Sequence, residues 1–329
     1  MTSPDDAAAG TDAADGTRSA DGEDSAPATG QAPAVGSAAV TESVVLALDV
    51  GGTKIAGGLV GPDGTVVHRT QRPTPLRPVP AVAEAAAELM EAASARGLTV
   101  RGAGAGFPEY VTADGRLTSS EVIDWDEQPA SVLARTLPGV PVRIDSDVRC
   151  GARGEALWGA GAALPGFLYV SLGTGLSSAL VLEGRPVPGH RGEAIAFGEL
   201  GVPVSVDPTW QGNLERYASG RGMGERRGVA GAREVTALAA AGDAEAAHVL
   251  DSAGRALATT LVWLVRLLDP AAVVLGGGLG CAPVAALHTP LAETWHKALA
   301  ATGRPAPPPL RTARTGQESG LLGAAALVR

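Results

Sequence analysis

Residues 43–60, SVVLALDVGGTKIAGGLV, hold the pattern on which the fold turns. Ser43–Val50 is a nearly continuous apolar run that ends in Asp49 and then Gly51-Gly52. That is the mark of a buried strand delivering an acid to a tight turn. A second strand, Ile55–Val60, follows at once, and Pro62-Asp63-Gly64 turns the chain into a third, Thr65–Arg69. Working outward, the pattern predicts an Ala-rich helix over Val82–Ala95 and a strand near Val100–Phe107. A helix around Ala130–Leu137 and a strand at Val140–Asp145 complete this half.

The same outline then recurs. Phe167–Leu172 is an apolar strand, Gly173-Thr174-Gly175 a turn, and Ser178–Leu182 another strand. Helices are predicted at Asn213–Ser219, Val235–Ala241 and Ala244–Leu268. A buried strand, Val273–Leu275, runs into Gly276-Gly277-Gly278, and helices near Pro283–Leu299 and Ser319–Val328 close the chain. Three strands, helix, strand, helix, strand, occurring twice, predict an α/β protein of two related lobes about a central cleft.

Composition narrows the function classes. The chain has 329 residues, 45% of them hydrophobic, enough for a large core built from Ala, Val and Leu. Three Phe, three Tyr and five Trp argue against base-stacking surfaces for single-stranded nucleic acid. Much of the net charge of −9 sits in residues 1–40, where Asp5, Asp6, Asp12, Asp15, Asp21, Glu23 and Asp24 face only Arg18. Those residues are too polar to offset the cost of ordering and read as a disordered acidic tail. The nearly balanced body predicts neither a nucleic-acid nor a membrane partner. No signal-peptide pattern and no long apolar stretch occurs, so a cytoplasmic protein is expected. Cys150 and Cys281 lack local partners; a long-range disulfide is the alternative to the favoured reading of two buried thiols.

Two glycine turns carry the chemistry. Turns built of Gly and Thr expose backbone N–H groups that converge on phosphate oxygens, and the Thr53 and Thr174 hydroxyls add donors. Asp49 offers a hard oxygen to Mg²⁺, most readily through water, and Lys54 brings positive charge. A tight hairpin with no ligand is the competing reading of either turn alone. The chain has only Lys54 and Lys297, neither of them after Gly, so no P-loop exists. In the Gly276–Gly280 run the third glycine of a dinucleotide fingerprint falls on Cys281.

Leu46-Ala-Leu-Asp-Val-Gly-Gly-Thr-Lys-Ile55 resembles the opening of the ROK family of repressors and sugar kinases. The resemblance continues through Gly104-Ala-Gly-Phe-Pro108, Ile144-Asp-Ser-Asp147, Ser171-Leu-Gly-Thr-Gly175, Gly198-Glu-Leu-Gly201, Leu275-Gly-Gly-Gly278 and Gly320-Leu-Leu-Gly-Ala324. It implies the duplicated actin-like, ribonuclease-H-type fold, with an N-terminal lobe of residues 41–146 plus 316–329 and a larger C-terminal lobe of 147–315. It also implies an ATP-dependent sugar kinase acting as a homodimer. ATP phosphates would lie against Asp49, Gly51, Gly52, Thr53, Lys54, Gly173, Thr174 and Gly175, and adenosine near Gly276, Gly277 and Gly278. Asp147 matches the family's catalytic base; Ser146, Glu199 and Glu215 fall at positions that, with Asp147, contact the sugar. On its residues alone Asp147 also reads as a helix N-cap.

Departures from the family pattern concentrate on the sugar side. Val202 stands where the family carries a zinc- and sugar-binding histidine, and Val206–Asn213 replaces its cysteine cluster, so no zinc site is expected. Ser146 replaces an asparagine, as does Val122 beside Trp125, where Ser119, Ser120, Glu121 or Asp124 could substitute. Glu109 puts an acid where glycine is usual. The alternative these losses raise is a non-catalytic sugar- or nucleotide-binding regulator on the same fold. A DNA-binding repressor is disfavoured by the acidic stretch ahead of the first strand.

Overall fold

The computed structural model describes residues 42–120, 122–300 and 307–329; the tail expected over 1–40 lies outside the described residues. Strands β1 (Ser43–Val50), β2 (Lys54–Val60), β3 (Val66–Pro73), β4 (Thr99–Phe107) and β5 (Val142–Ser146) form one sheet in the order β3-β2-β1-β4-β5. Strands β6 (Gly166–Leu172), β7 (Leu176–Leu182), β8 (Arg185–Pro186), β9 (Val273–Gly276) and β10 (Leu310–Thr312) form the second, in the order β10-β9-β6-β7-β8. With β6 in the place of β1, the two orders are the same. In each sheet the first three strands run antiparallel and the last two join in parallel. The duplication expected from the sequence is therefore present in the topology.

Helices α1 (Val79–Ala95) and α2 (Pro129–Thr136) lie between strands of the first sheet, and α3 (Asp147–Trp158) joins the first sheet to the second. Helices α4 (Leu214–Ala218), α5 (Gly220–Arg227), α6 (Ala232–Ala240), α7 (Ala244–Leu268), α8 (Gly277–Cys281) and α9 (Ala285–Ala300) follow, and α10 (Ser319–Ala325) returns to β1, β4 and α3. Helix α1 starts three residues before its predicted boundary, because a proline in the first turn loses no hydrogen bond the helix would make.

Helix α5 and strand β10 were not predicted. The sequence of α5, GRGMGERR, has three glycines and a poor intrinsic helix propensity. Packing requires them: a Cβ on Gly220 would lie 2.6 Å from the Gly173 carbonyl oxygen, and one on Gly222 2.4 Å from that of Arg216. Strand β10 is three residues long and half-exposed, too short and too polar to stand out.

The apolar strand faces are covered as their patterns predicted. Leu46, Leu48, Leu59, Leu89 and Phe107 form one core; Leu168, Val170, Leu172, Tyr217, Leu257 and Trp295 form another. Cys150 and Cys281 are both free, the first buried and the second half-buried. Among the described residues no helix is long and apolar enough to cross a membrane.

Candidate active site

Strand register brings the acids together. β1, β4 and β5 run parallel, with Asp49 opposite Gly106 and Phe107 opposite Ser146. The residues at or just beyond their C-terminal ends, Asp49, Glu109 and Asp147, therefore reach one edge, where parallel sheets usually bind ligands. In the second sheet Ser171 lies opposite Gly276, so the turn at Gly173–Gly175 and the triplet Gly276–Gly278 are neighbours.

A cleft of about 390 Å³ opens between these edges. Asp49, Gly51, Gly52, Thr53 and Lys54 line one side; Gly173, Thr174 and Gly175 line the other. The first turn closes through Gly51 N–H to the Lys54 carbonyl (2.9 Å) and is held from outside by the Thr74 hydroxyl on the Gly51 carbonyl (2.6 Å). The second closes through Gly173 N–H to the Gly175 carbonyl (3.0 Å). Its Gly173 and Thr174 carbonyls also accept from the N–H groups of Gly220 and Arg221, at 2.8 and 3.1 Å. Helix α5 thus straps the turn and sets the Arg221 side chain in the cleft. Among the described residues, Lys54 and Arg221 are the cations that line it. Sequence reasoning missed Arg221 because it missed the helix that carries it.

Asp147 lines the cleft. The helix-cap reading of this residue goes instead to Ser146, whose fully buried hydroxyl accepts from Arg149 N–H at 3.4 Å. Ser146 does not itself line the cleft; one oxygen of Asp147 accepts from Val148 N–H (2.6 Å). Burial and, next, the charge of Asp49 push the Asp147 carboxyl up to about 7; Glu109 pushes the same way, and Val148 N–H and Arg149 oppose them. Burial likewise raises Asp49 to about 6, against the pull of Lys54. Asp145 turns away, into an ion pair with the buried Arg149 at 2.5 Å.

Glu199 and Glu215 line the same cleft. Glu215 accepts from Leu176 N–H (2.8 Å), which ties α4 to the second glycine turn. Asn213 caps α4 through its side-chain oxygen and donates its amide to Glu199 at 3.3 Å. The loop Val206–Asn213 is held by rings: Trp210 meets Tyr217 edge-on at 5.1 Å, and the Arg226 guanidinium lies 3.7 Å above the Tyr217 ring. Gly276, Gly277 and Gly278 stand behind the second turn, outside the cleft lining. Of the residues weighed as substitutes for the missing asparagine, Ser119 faces the cleft, and Glu121 lies outside the described residues.

This arrangement accompanies a similarity that spans the folded chain. Glucokinase of Streptomyces coelicolor is 29% identical over 312 residues, covering 87% of this chain and 98% of that protein. N-acetyl-D-glucosamine kinase of Salmonella newport is 30% identical over 298 residues, covering 85% and 97%. The crystal structure of a ROK family glucokinase from Streptomyces griseus, in complex with glucose and AMPPNP, superposes with a TM-score of 0.73 at 26% identity, covering 86% of this chain and 98% of that one. The ROK family model matches residues 45–329, and the chain belongs to the ROK family.

Proposed function

We propose that this protein is an ATP-dependent sugar kinase in which Asp147 is the general base. The observation that carries the reading is one cleft lined by both glycine turns and by a carboxyl whose proton affinity lies near neutrality. A sugar hydroxyl is a weak nucleophile. A carboxylate within hydrogen-bond reach accepts its proton as the hydroxyl oxygen bonds to the γ-phosphorus and the bond to the β-phosphate oxygen breaks. The turn N–H groups, Thr53, Thr174, Lys54 and Arg221 hold and neutralise the phosphates, and Glu199 and Glu215 accept from sugar hydroxyls. Gly276–Gly278, beside the second turn, flank adenosine.

Mg²⁺ fits the donor set, since a phosphate-bound Mg²⁺ needs one or two carboxylates and water, and Asp49 presents a hard oxygen beside the turn. Such an ion spreads the charge of the transferring group. The lobes, residues 41–146 with 316–329 and residues 147–315, would close over both substrates and exclude water. Assembly as a homodimer in the cytoplasm is part of the same reading.

Coupled ADP release from the purified chain across a panel of hexoses and N-acetylhexosamines tests this. Sugar-dependent ADP formation is expected. ATP binding without turnover on any sugar would instead favour a regulatory binder. In the same assay Arg221→Ala is expected to raise KM for ATP about tenfold, the loss of one charge-assisted contact, with KM for sugar little changed.

A further inference from the structure

We propose that Glu109 is a positioning residue for the acceptor side. From the end of β4 its carboxylate holds Ser119, Val122 and Ile123, so that Ser119 and Val122 form a fixed wall opposite Gly52. The proposal rests on the kinase reading and adds the device that shapes its sugar pocket.

Glu109 is 3% exposed although it lines the cleft. One carboxylate oxygen accepts from the Ser119 hydroxyl at 2.5 Å. The other accepts from the backbone N–H groups of Val122 (3.0 Å) and Ile123 (3.1 Å). Tyr110 N–H donates to the Ser119 oxygen at 2.9 Å, which fixes that hydroxyl between two residues of the β4 end. Further along, Trp125 meets Phe107 edge-on at 5.2 Å. Ser119, Val122 and Ile123 are thus each tied to the end of β4. The Val122 methyl then packs so closely on the first glycine turn that a Cβ on Gly52 would lie 2.9 Å from it.

A buried carboxyl is tolerated when its oxygens are filled by donors, as both oxygens of Glu109 are here. The wall lies in neither helix nor strand, so these bonds do for it what a ladder does for a strand. A misplacement of about 1 Å in a positioning wall can cost on the order of a hundredfold in rate.

Two conservative variants of the full chain separate reach from charge. Glu109→Asp keeps the charge but withdraws the carboxyl by about 1.5 Å, one C–C bond. Glu109→Gln keeps the reach, can still accept from the two N–H groups and can donate to Ser119, but is neutral. Hydrogen exchange at the Val122 and Ile123 amides is expected to be at least about tenfold faster in E109D and near wild type in E109Q. With a sugar that wild type phosphorylates, E109D is expected to raise KM for sugar about tenfold, with KM for ATP within about twofold; E109Q restores it.

Unchanged exchange in E109D overturns the proposal. So does the reverse pattern, with E109Q impaired and E109D normal, because charge and not reach would then be at work. Loss of the far-UV circular dichroism signal in both variants also overturns it, making Glu109 a residue of folding. If wild type turns over no sugar, the kinase reading falls, while the exchange comparison still decides the tether.

Discussion

Asp147→Ala is expected to lower kcat by about 10²- to 10⁴-fold, the range typical of a lost general base, while ATP binding stays within a few-fold of wild type. The structure supports this separation because the α3 cap is supplied by Ser146, not by Asp147. Removing the carboxylate therefore leaves the helix start in place. The wild-type rate is expected to fall as pH drops through about 7, where burial and Asp49 hold the Asp147 proton, because only the ionised form accepts one.

Stability should move the opposite way. The Asp147 pKa is raised on folding from 3.8 to about 7, so ionisation costs folded-state stability as pH climbs through that interval. Asp147→Asn removes that cost. The variant is expected to melt higher than wild type at pH 8, with a gain that shrinks on acidification and vanishes below about pH 4, near the unfolded carboxyl's own pKa. Melting curves at several pH values check it. An inactive variant with no gain at pH 8 would mean that the site does not hold Asp147 under this strain.

The second large effect is expected from Arg149→Ala, a loss of roughly 3–5 kcal/mol in stability. Arg149 is 1% exposed and joins three segments. Its Nε pairs with Asp145 at 2.5 Å, Nη1 donates to the Gly192 carbonyl at 2.8 Å, and Nη2 donates to the Val111 carbonyl. Truncation leaves the mostly buried Asp145 carboxylate and two carbonyls without this donor, and removing one member of a buried pair costs more than the pair contributes. Denaturant unfolding measures the loss. Changing Asp145 to Asn in the same molecule should recover part of it, since the carboxylate then left with only Arg153, at 3.7 Å, and the Ser146 N–H loses its charge. A loss below about 1 kcal/mol would mean that water replaces the guanidinium.

Parts of this molecule written as contiguous residues were legible in advance. The run into Asp49-Val50-Gly51-Gly52 and the turn at Gly173–Gly175 declare themselves, because strand and turn are both encoded locally there. Asp147 was less clear. Ser146 and Asp147 are both good caps, and only the backbone path into α3 shows which side chain bonds the free N–H. Glu109 registered as an anomaly with no assigned role, since its partners at 119, 122 and 123 are ten or more residues away. Arg221 was hidden by three glycines that local propensity counts against a helix and that close approach to Gly173, Arg216 and Gly231 requires.

Hydrophobic period and turn composition determined that two glycine turns would end buried strands in a duplicated α/β chain, because strand burial and turn geometry are encoded within a few residues. Only the tertiary structure decided which side chains share the cleft, because that depends on register between strands far apart in sequence. Parallel pairing of β1, β4 and β5 sets Asp49, Glu109 and Asp147 at one edge, and burial there, followed by the charges of Asp49 and Glu109, brings the Asp147 proton near neutrality.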